Sequence, residues 1–192
     1  MKVIGITGNY GTEDGMSPRC YLMADSSILY SGRPFFVPDF AQRFVACPSI
    51  VVRTSRLGKG IAPKFASRYW DALTAGMAVQ AINDCDASAG ALDRAFDGAA
   101  IVGEWVPVSS LDDPTHAVVT TMINGEVQSQ QCLAHMTLSL DHLLAGISQR
   151  CSIKMGDMIF TGDAGSGHNL APGDRITATI GGRQVLDVKV KL

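Results

Sequence analysis

From Asp157 to the C-terminus, turn signals cut the chain into short strand-like runs, and this pattern constrains the fold more than any other feature. DMIFTGD is followed by the turn Ala171-Pro172-Gly173-Asp174, the run RITATI, a Gly181-Gly182 turn and a last strand. In that strand Val188, Val190 and Leu192 alternate with Lys189 and Lys191, which predicts one buried and one wet face. HAVVTTMI followed by Asn124-Gly125 is a hairpin signal, because Asn and Gly tolerate the positive φ of a type I′ turn. A chain built this way folds around sheets.

The remaining segments fit that frame. Residues 2–6 (KVIGI) read as a short buried strand, and residues 49–56 (SIVVRTSR) as a β-branched strand stopped by Gly58. Residues 33–39 (RPFFVPD) are proline-punctuated and suit an edge or connection. Phe65, Arg68, Tyr69 and Trp70 suggest a short helix, while Leu73–Ile82 is helix or buried strand by pattern alone. The clearest helix starts at Ser139 as N-cap, with Leu140, Leu143, Leu144 and Ile147 along one face. His142 falls opposite that face and is expected in solvent. The expected fold class is α+β and β-dominated.

Composition narrows the function classes. With 192 residues the chain suffices for one well-buried domain and is short for two, so residues 1–192 are read as a single domain. A net charge of -2 with scattered basic residues excludes a nucleic-acid binder, and Arg53, Arg56, Lys59 and Lys64 read as a solvated face. The five cysteines are odd in number, widely spaced and never in a CxxC pair, which argues against a disulfide framework or a zinc knuckle. The N-terminal apolar run is too short for a signal peptide, and no run has the roughly 20 apolar residues of a membrane span. A cytoplasmic setting is expected.

An ordered set of motifs resembles the fumarylacetoacetate hydrolase family. Asn124-Gly125-Glu126 matches its NGE turn, and Asp141 its acidic residue near a helix start. Gly156-Asp157-Met158-Ile159-Phe160-Thr161-Gly162-Asp163 and Pro172-Gly173-Asp174 follow in the order and spacing of its GD-x-I-x-TGTP and PGD elements. Asn9-Tyr10, Asp25-Ser26-Ser27-Ile28-Leu29, Leu57-Gly58-Lys59-x-Ile61 and Phe96-Asp97-Gly98 also fall in register, so the likeness covers nearly the whole chain. It implies a mixed β-sandwich or roll with few short helices, strand rather than helix over Ala72–Ile82, and a homodimer with Phe35, Phe36 or Trp105 among its contacts.

The resemblance also implies a chemistry. Family members cleave, decarboxylate or tautomerise small 2-oxo or β-diketo acids, with Mg²⁺ or Mn²⁺ chelating the substrate and stabilising its enolate. Such hard ions want oxygen ligands. The family supplies them as E-x-E on one strand, where alternation puts both on one face, plus a later Asp. Here E-x-E falls on Cys47-Pro48-Ser49, and only Asp84 keeps a carboxylate. Cys47 reads first as a small buried hydrophobe, and second as part of a softer zinc site with Asp84 and Cys85. Weak or absent Mg²⁺ binding is expected, with no cofactor.

The other positions have changed with it. The family's proton-shuttling histidine lines up with Glu13, either a residual acid–base group or an exposed loop residue. Its substrate lysine lines up with Arg94, which keeps charge but cannot release a proton. The lysine of its KP motif is Met23, and TARD reads Asp86-Ala87-Ser88-Ala89 before a shortened loop. TGTP reads Thr161-Gly162-Asp163-Ala164, so Thr161 and Gly162 are expected to help bind a carboxylate that Asp163 would repel. His135 and His142 have no partner at ligand spacing, and His168 is placed near the pocket mouth. Three readings follow: a family member with its catalysis lost, an enzyme with an atypical site, and a small-carboxylate binder.

Overall fold

The computed structural model describes residues 1–11, 17–83, 90–163 and 167–192. Its strands are β1 (Val3–Thr7), β2 (Arg19–Met23), β3 (Ile28–Tyr30), β4 (Phe35–Phe36), β5 (Arg43–Thr54), β6 (Trp70–Ile82) and β7 (Ala100–Val102). They continue as β8 (Val106–Pro107), β9 (Val119–Ile123), β10 (Glu126–Gln131), β11 (Met158–Phe160), β12 (His168–Asn169), β13 (Arg175–Ile180) and β14 (Arg183–Lys191). The α-helix is α1 (Leu140–Arg150).

The two long strands come from the two most apolar runs and pair antiparallel from Arg43↔Ile82 to Thr54↔Trp70. Around them the larger sheet runs β2-β1-β11-β5-β6-β7-β3, and a second sheet runs β10-β9-β13-β14-β4. One face of β5 and β6, through Phe44, Ile50, Val52, Leu73, Met77 and Val79, packs on the second sheet and on the leucine face of α1. The opposite face buries Val51 and Ala78 against Val3, Met23, Ala100, Val102, Met158 and Phe160, all from strands of the same sheet. The large sheet therefore curls, and its concave face closes on itself. Burial on both faces is why these strands read as continuous apolar runs rather than alternating ones.

Several expectations hold. The ambiguous Leu73–Ile82 run is strand, as the resemblance implied, and residues Pro63–Tyr69 form a short 3-10 helix. Asn124 (φ 54°) and Gly125 (φ 83°) close the β9–β10 hairpin with two positive φ angles. Ser139 caps α1 by accepting from His142 N–H, and its hydroxyl also meets His142 Nδ1 at 2.9 Å. The described cysteines are all free, and among the described residues no helix is long and apolar enough to cross a membrane.

Three expectations are corrected. The strand read from Ser49 begins six residues earlier, at Arg43, and carries Pro48 in its interior. The carbonyls of Phe44 and Ile50 face β11 and β12, where they accept from Leu170 N–H and Thr161 N–H. By two-residue alternation Pro48 faces the same way, into the gap between those short strands, where no ladder bond needs an N–H. Of Phe35, Phe36 and Trp105, the alternatives expected at a dimer contact, Phe35 drops out, being 1% exposed and edge-on to Phe44, whereas Phe36 is 58% exposed. Leu192, expected on the buried face with Val188 and Val190, is 90% exposed because β14 ends at Lys191.

Candidate active site

At one end of the concave face the apolar lining gives way to polar side chains. Cys47 and Ser49 precede Val51 on β5 at two-residue spacing, so all three point inward, with Cys47 and Ser49 opposite Ala78 and Gly76 of β6. Gln80 extends the same face of β6, a lone amide in an otherwise apolar run. Tyr21 enters from β2 across from Gly5 of β1, and a Cβ at Gly5 would run into its ring. Gly at that position is what lets the phenol lie across β1.

Arg94, from the three-residue turn Leu92–Arg94, reaches into this end of the curl. Its Nη2 donates to Gln80 Oε1 at 2.6 Å, and its guanidinium lies 4.5 Å from the centre of the Tyr21 ring. Asp163, two residues beyond the Thr161 that extends β11, completes the group. Burial pushes the Asp163 carboxyl up to about 6, with Arg94 opposing that rise. Burial also raises the Cys47 thiol to about 11, helped by Asp163 and opposed by Arg94. The Tyr21 phenol rises to about 12 for the same reason, with Asp163 adding and Arg94 subtracting. Near neutral pH the site thus holds a cation, a carboxylate close to its own pKa, and a neutral thiol and phenol.

Three buried polar atoms here have no partner at full hydrogen-bond geometry, Arg94 Nη1, Tyr21 Oη and Asp163 Oδ1, although the guanidinium lies near enough to the phenol oxygen to favour its ionised form. Each carries a desolvation cost that a partner would relieve.

The Thr161-Gly162 element does something other than expected. Thr161 is fully buried, and its hydroxyl donates to the Ile50 carbonyl and meets Tyr10 Oη at 3.0 Å. It sits on the opposite face of β11 from Phe160, turned toward the main core, so its hydroxyl is already engaged within the fold. Gly162 N–H is also engaged, donating to Ser49 Oγ at 3.3 Å. Gly162 has φ 145°, and a Cβ there would lie 2.8 Å from Asn9 Cβ. Asn9 staples this corner: its Nδ2 donates to the Thr161 and Leu138 carbonyls, and its Oδ1 accepts from Leu138 N–H. The pair Thr161 and Gly162 shapes the corner that aims Asp163 inward.

Of the other predicted residues, Glu13, Asp84, Cys85, Ala164 and the segment 86–89 lie outside the described residues. Met23 is buried among the concave apolar side chains. His168 faces the PGD turn, with Nε2 3.3 Å from Asp174 Oδ2. Sequence reasoning missed Tyr21 and Gln80 as companions of Arg94. The signals were Gly5 inside a strand and a single amide inside an apolar one.

A hard cation does not suit the described residues. Ser49 Oγ is fully buried and already both accepts from Gly162 N–H and donates to the Ile50 carbonyl. Cys47 is a neutral thiol under the field of Arg94. Among the described residues no three His, Cys, Asp or Glu side chains gather at one point.

Residues 9–191 match the family model described as fumarylacetoacetate (FAA) hydrolase C-terminal. The chain is 25% identical over 189 residues to the mitochondrial oxaloacetate tautomerase fahd-1 of Caenorhabditis elegans, covering 91% of this chain and 87% of that one. It is 30% identical over 90 residues to the 4-hydroxyphenylacetate degradation bifunctional isomerase/decarboxylase of Salmonella dublin. That stretch is 46% of this chain and 21% of the relative, so the chain spans about a fifth of that relative's length. The structure of fumarylpyruvate hydrolase from Pseudomonas aeruginosa, in complex with Mn²⁺ and pyruvate, superposes with a TM-score of 0.88 at 18% identity. It covers 100% of this chain and 90% of that one, a likeness of fold.

Proposed function

Because this chain belongs to the fumarylacetoacetate hydrolase family, we propose that it keeps the family's pocket without its metal-assisted chemistry and binds a small carboxylate there. The observation that carries this reading is the exchange of charge on the concave wall. Where two carboxylates of an E-x-E pair would chelate a cation, a neutral thiol and a saturated hydroxyl stand beside the guanidinium of Arg94. Arg94 on that wall attracts an anion and opposes Mg²⁺, while the Asp163 carboxyl beside it asks the anion to bring a hydrogen-bond donor as well. Bound metal in the family polarises a keto acid and stabilises its enolate. What this chain offers instead is Arg94, held by Gln80 and Tyr21, for charge-assisted bonds to a carboxylate.

The test measures Mn²⁺ binding to the full chain by electron paramagnetic resonance, beside turnover assays of the same sample. Oxaloacetate tautomerisation, oxaloacetate decarboxylation and acylpyruvate hydrolysis are followed with and without Mg²⁺ and Mn²⁺. The expected result is no tight Mn²⁺ and no metal-dependent turnover. Metal-dependent turnover lost on Asp84→Ala would overturn the reading.

One observation favours a second reading. A buried carboxyl near pH 6 beside a carboxylate-binding guanidinium is poised to move a proton, so a metal-free keto–enol isomerase is the alternative. Tautomerisation that persists in chelator and disappears in Asp163→Asn would establish it.

A further inference from the structure

Resting on the carboxylate-binding reading above, we propose that this pocket is selective for 2-hydroxy carboxylates over the corresponding 2-oxo acids. The argument is one of complementary hydrogen bonds. Of the three unpartnered buried atoms, Arg94 Nη1 is only a donor, Tyr21 Oη carries one proton to donate, and an ionised Asp163 Oδ1 is only an acceptor. A ligand that satisfies all three brings acceptors to the first two and a donor to the third. A carboxylate meets Arg94 and Tyr21, and a hydroxyl on the adjacent carbon meets Asp163. A 2-oxo acid presents acceptors alone, so its keto oxygen would face a carboxylate oxygen, leaving Asp163 buried, charged and unpaired.

The protonation states favour this pairing at physiological pH. Among the described residues, the groups whose charge acts at this end of the curl are Arg94, Tyr21, Cys47 and Asp163. Burial keeps the phenol and the thiol neutral, at about 12 and about 11. Among the described groups the one that changes between pH 5 and 8 is therefore Asp163, at about 6. Above that value it accepts from a hydroxyl. Below it the carboxyl becomes a donor and can satisfy a keto oxygen, so selectivity is strongest in mildly alkaline buffer and fades in acid.

Isothermal titration of the full chain with two matched pairs, lactate against pyruvate and 2-hydroxyglutarate against 2-oxoglutarate, tests this at pH 7.5 and pH 5.5. The expected result at pH 7.5 is binding of a hydroxy acid at least roughly tenfold tighter than its oxo partner, the scale set by one buried unpaired group. The ratio should narrow at pH 5.5. Asp163→Asn should collapse it at both pH values, because the amide supplies a donor as well as an acceptor, and Arg94→Met should abolish binding of both acids while Arg94→Lys keeps part of it. Equal affinities for the two acids, both lost in Arg94→Met, would overturn the selectivity and leave the carboxylate-binding reading standing. No binding of any of the four acids to the native chain would overturn both.

Discussion

Asp157 and Asp163 lie on either side of β11, six residues apart, the first fully buried and the second half-buried, and their surroundings are opposite. Asp157, 1% exposed, has both oxygens occupied. Oδ1 accepts from Lys2 N–H at 2.8 Å, and Oδ2 accepts from Lys154 N–H at 2.8 Å and pairs with Lys2 Nζ at 2.5 Å. Asp163 follows the Gly162 kink, has no partner for Oδ1, and is held partly protonated by its burial. The first carboxylate closes a turn and ties it to the N-terminal strand. The second does nothing for the fold. An acid with a bare oxygen beside a guanidinium is what a pocket offers a ligand, and this is why Asp163 carries the proposal above.

Substitutions at the two positions should therefore move stability in opposite directions. Asp157→Ala removes the acceptor for two backbone N–H groups and one ammonium, and should cost about 3–4 kcal/mol in urea unfolding. A loss under about 1 kcal/mol would erase the contrast. Asp163→Asn should instead stabilise the chain at pH 7.5, by an amount on the order of 2 kcal/mol. The sign follows from linkage. Folding raises the carboxyl from 3.8 to about 6, so the native state binds the proton more tightly than the unfolded chain does. The stabilisation this brings is complete below pH 4, fades as pH rises through 6, and is absent above. Native stability should fall between pH 4 and 6 from this residue, and Asp163→Asn should flatten that segment of the profile. A native profile already flat there, with no gain from the amide, would mean that Asp163 is better solvated than its geometry indicates.

The same contrast explains how much was legible in the sequence. Elements set by local chemistry could be read directly: the Asn124-Gly125 hairpin, the Ser139-capped helix and the alternating β14. Asp157 belongs with them, because a GD turn before an apolar strand is a local pattern. The beginning of β5 was hidden, because Pro48 argues against a strand until the gap beside it is known. Phe35 and Phe36 are neighbours in sequence and opposite in burial, which the side of one edge strand decides. In the pocket, Arg94 could be placed by resemblance, but its holders Tyr21 and Gln80 come from strands far apart in the chain and meet only when the sheet curls. Thr161 was hard to place for a related reason: strand alternation turns its hydroxyl toward Ile50 and Tyr10, contacts that its motif does not reveal.

The smallest predicted effect tests the contrast at its weakest point. Tyr21 Oη is buried without a partner, and its ring packs beneath the Arg94 guanidinium. Tyr21→Phe keeps the ring and the cation–π contact and deletes only the bare hydroxyl, so the chain should gain up to about 1 kcal/mol, read by thermal or urea unfolding. A hydroxyl that served the fold would give the reverse, as the loss expected at Asp157 does. The same variant should weaken carboxylate binding while it strengthens folding, because the atom deleted is one of the two donors offered to the ligand. Stability rising as affinity falls is what separates an atom kept for a ligand from one that is merely badly packed, for which only the stability would change.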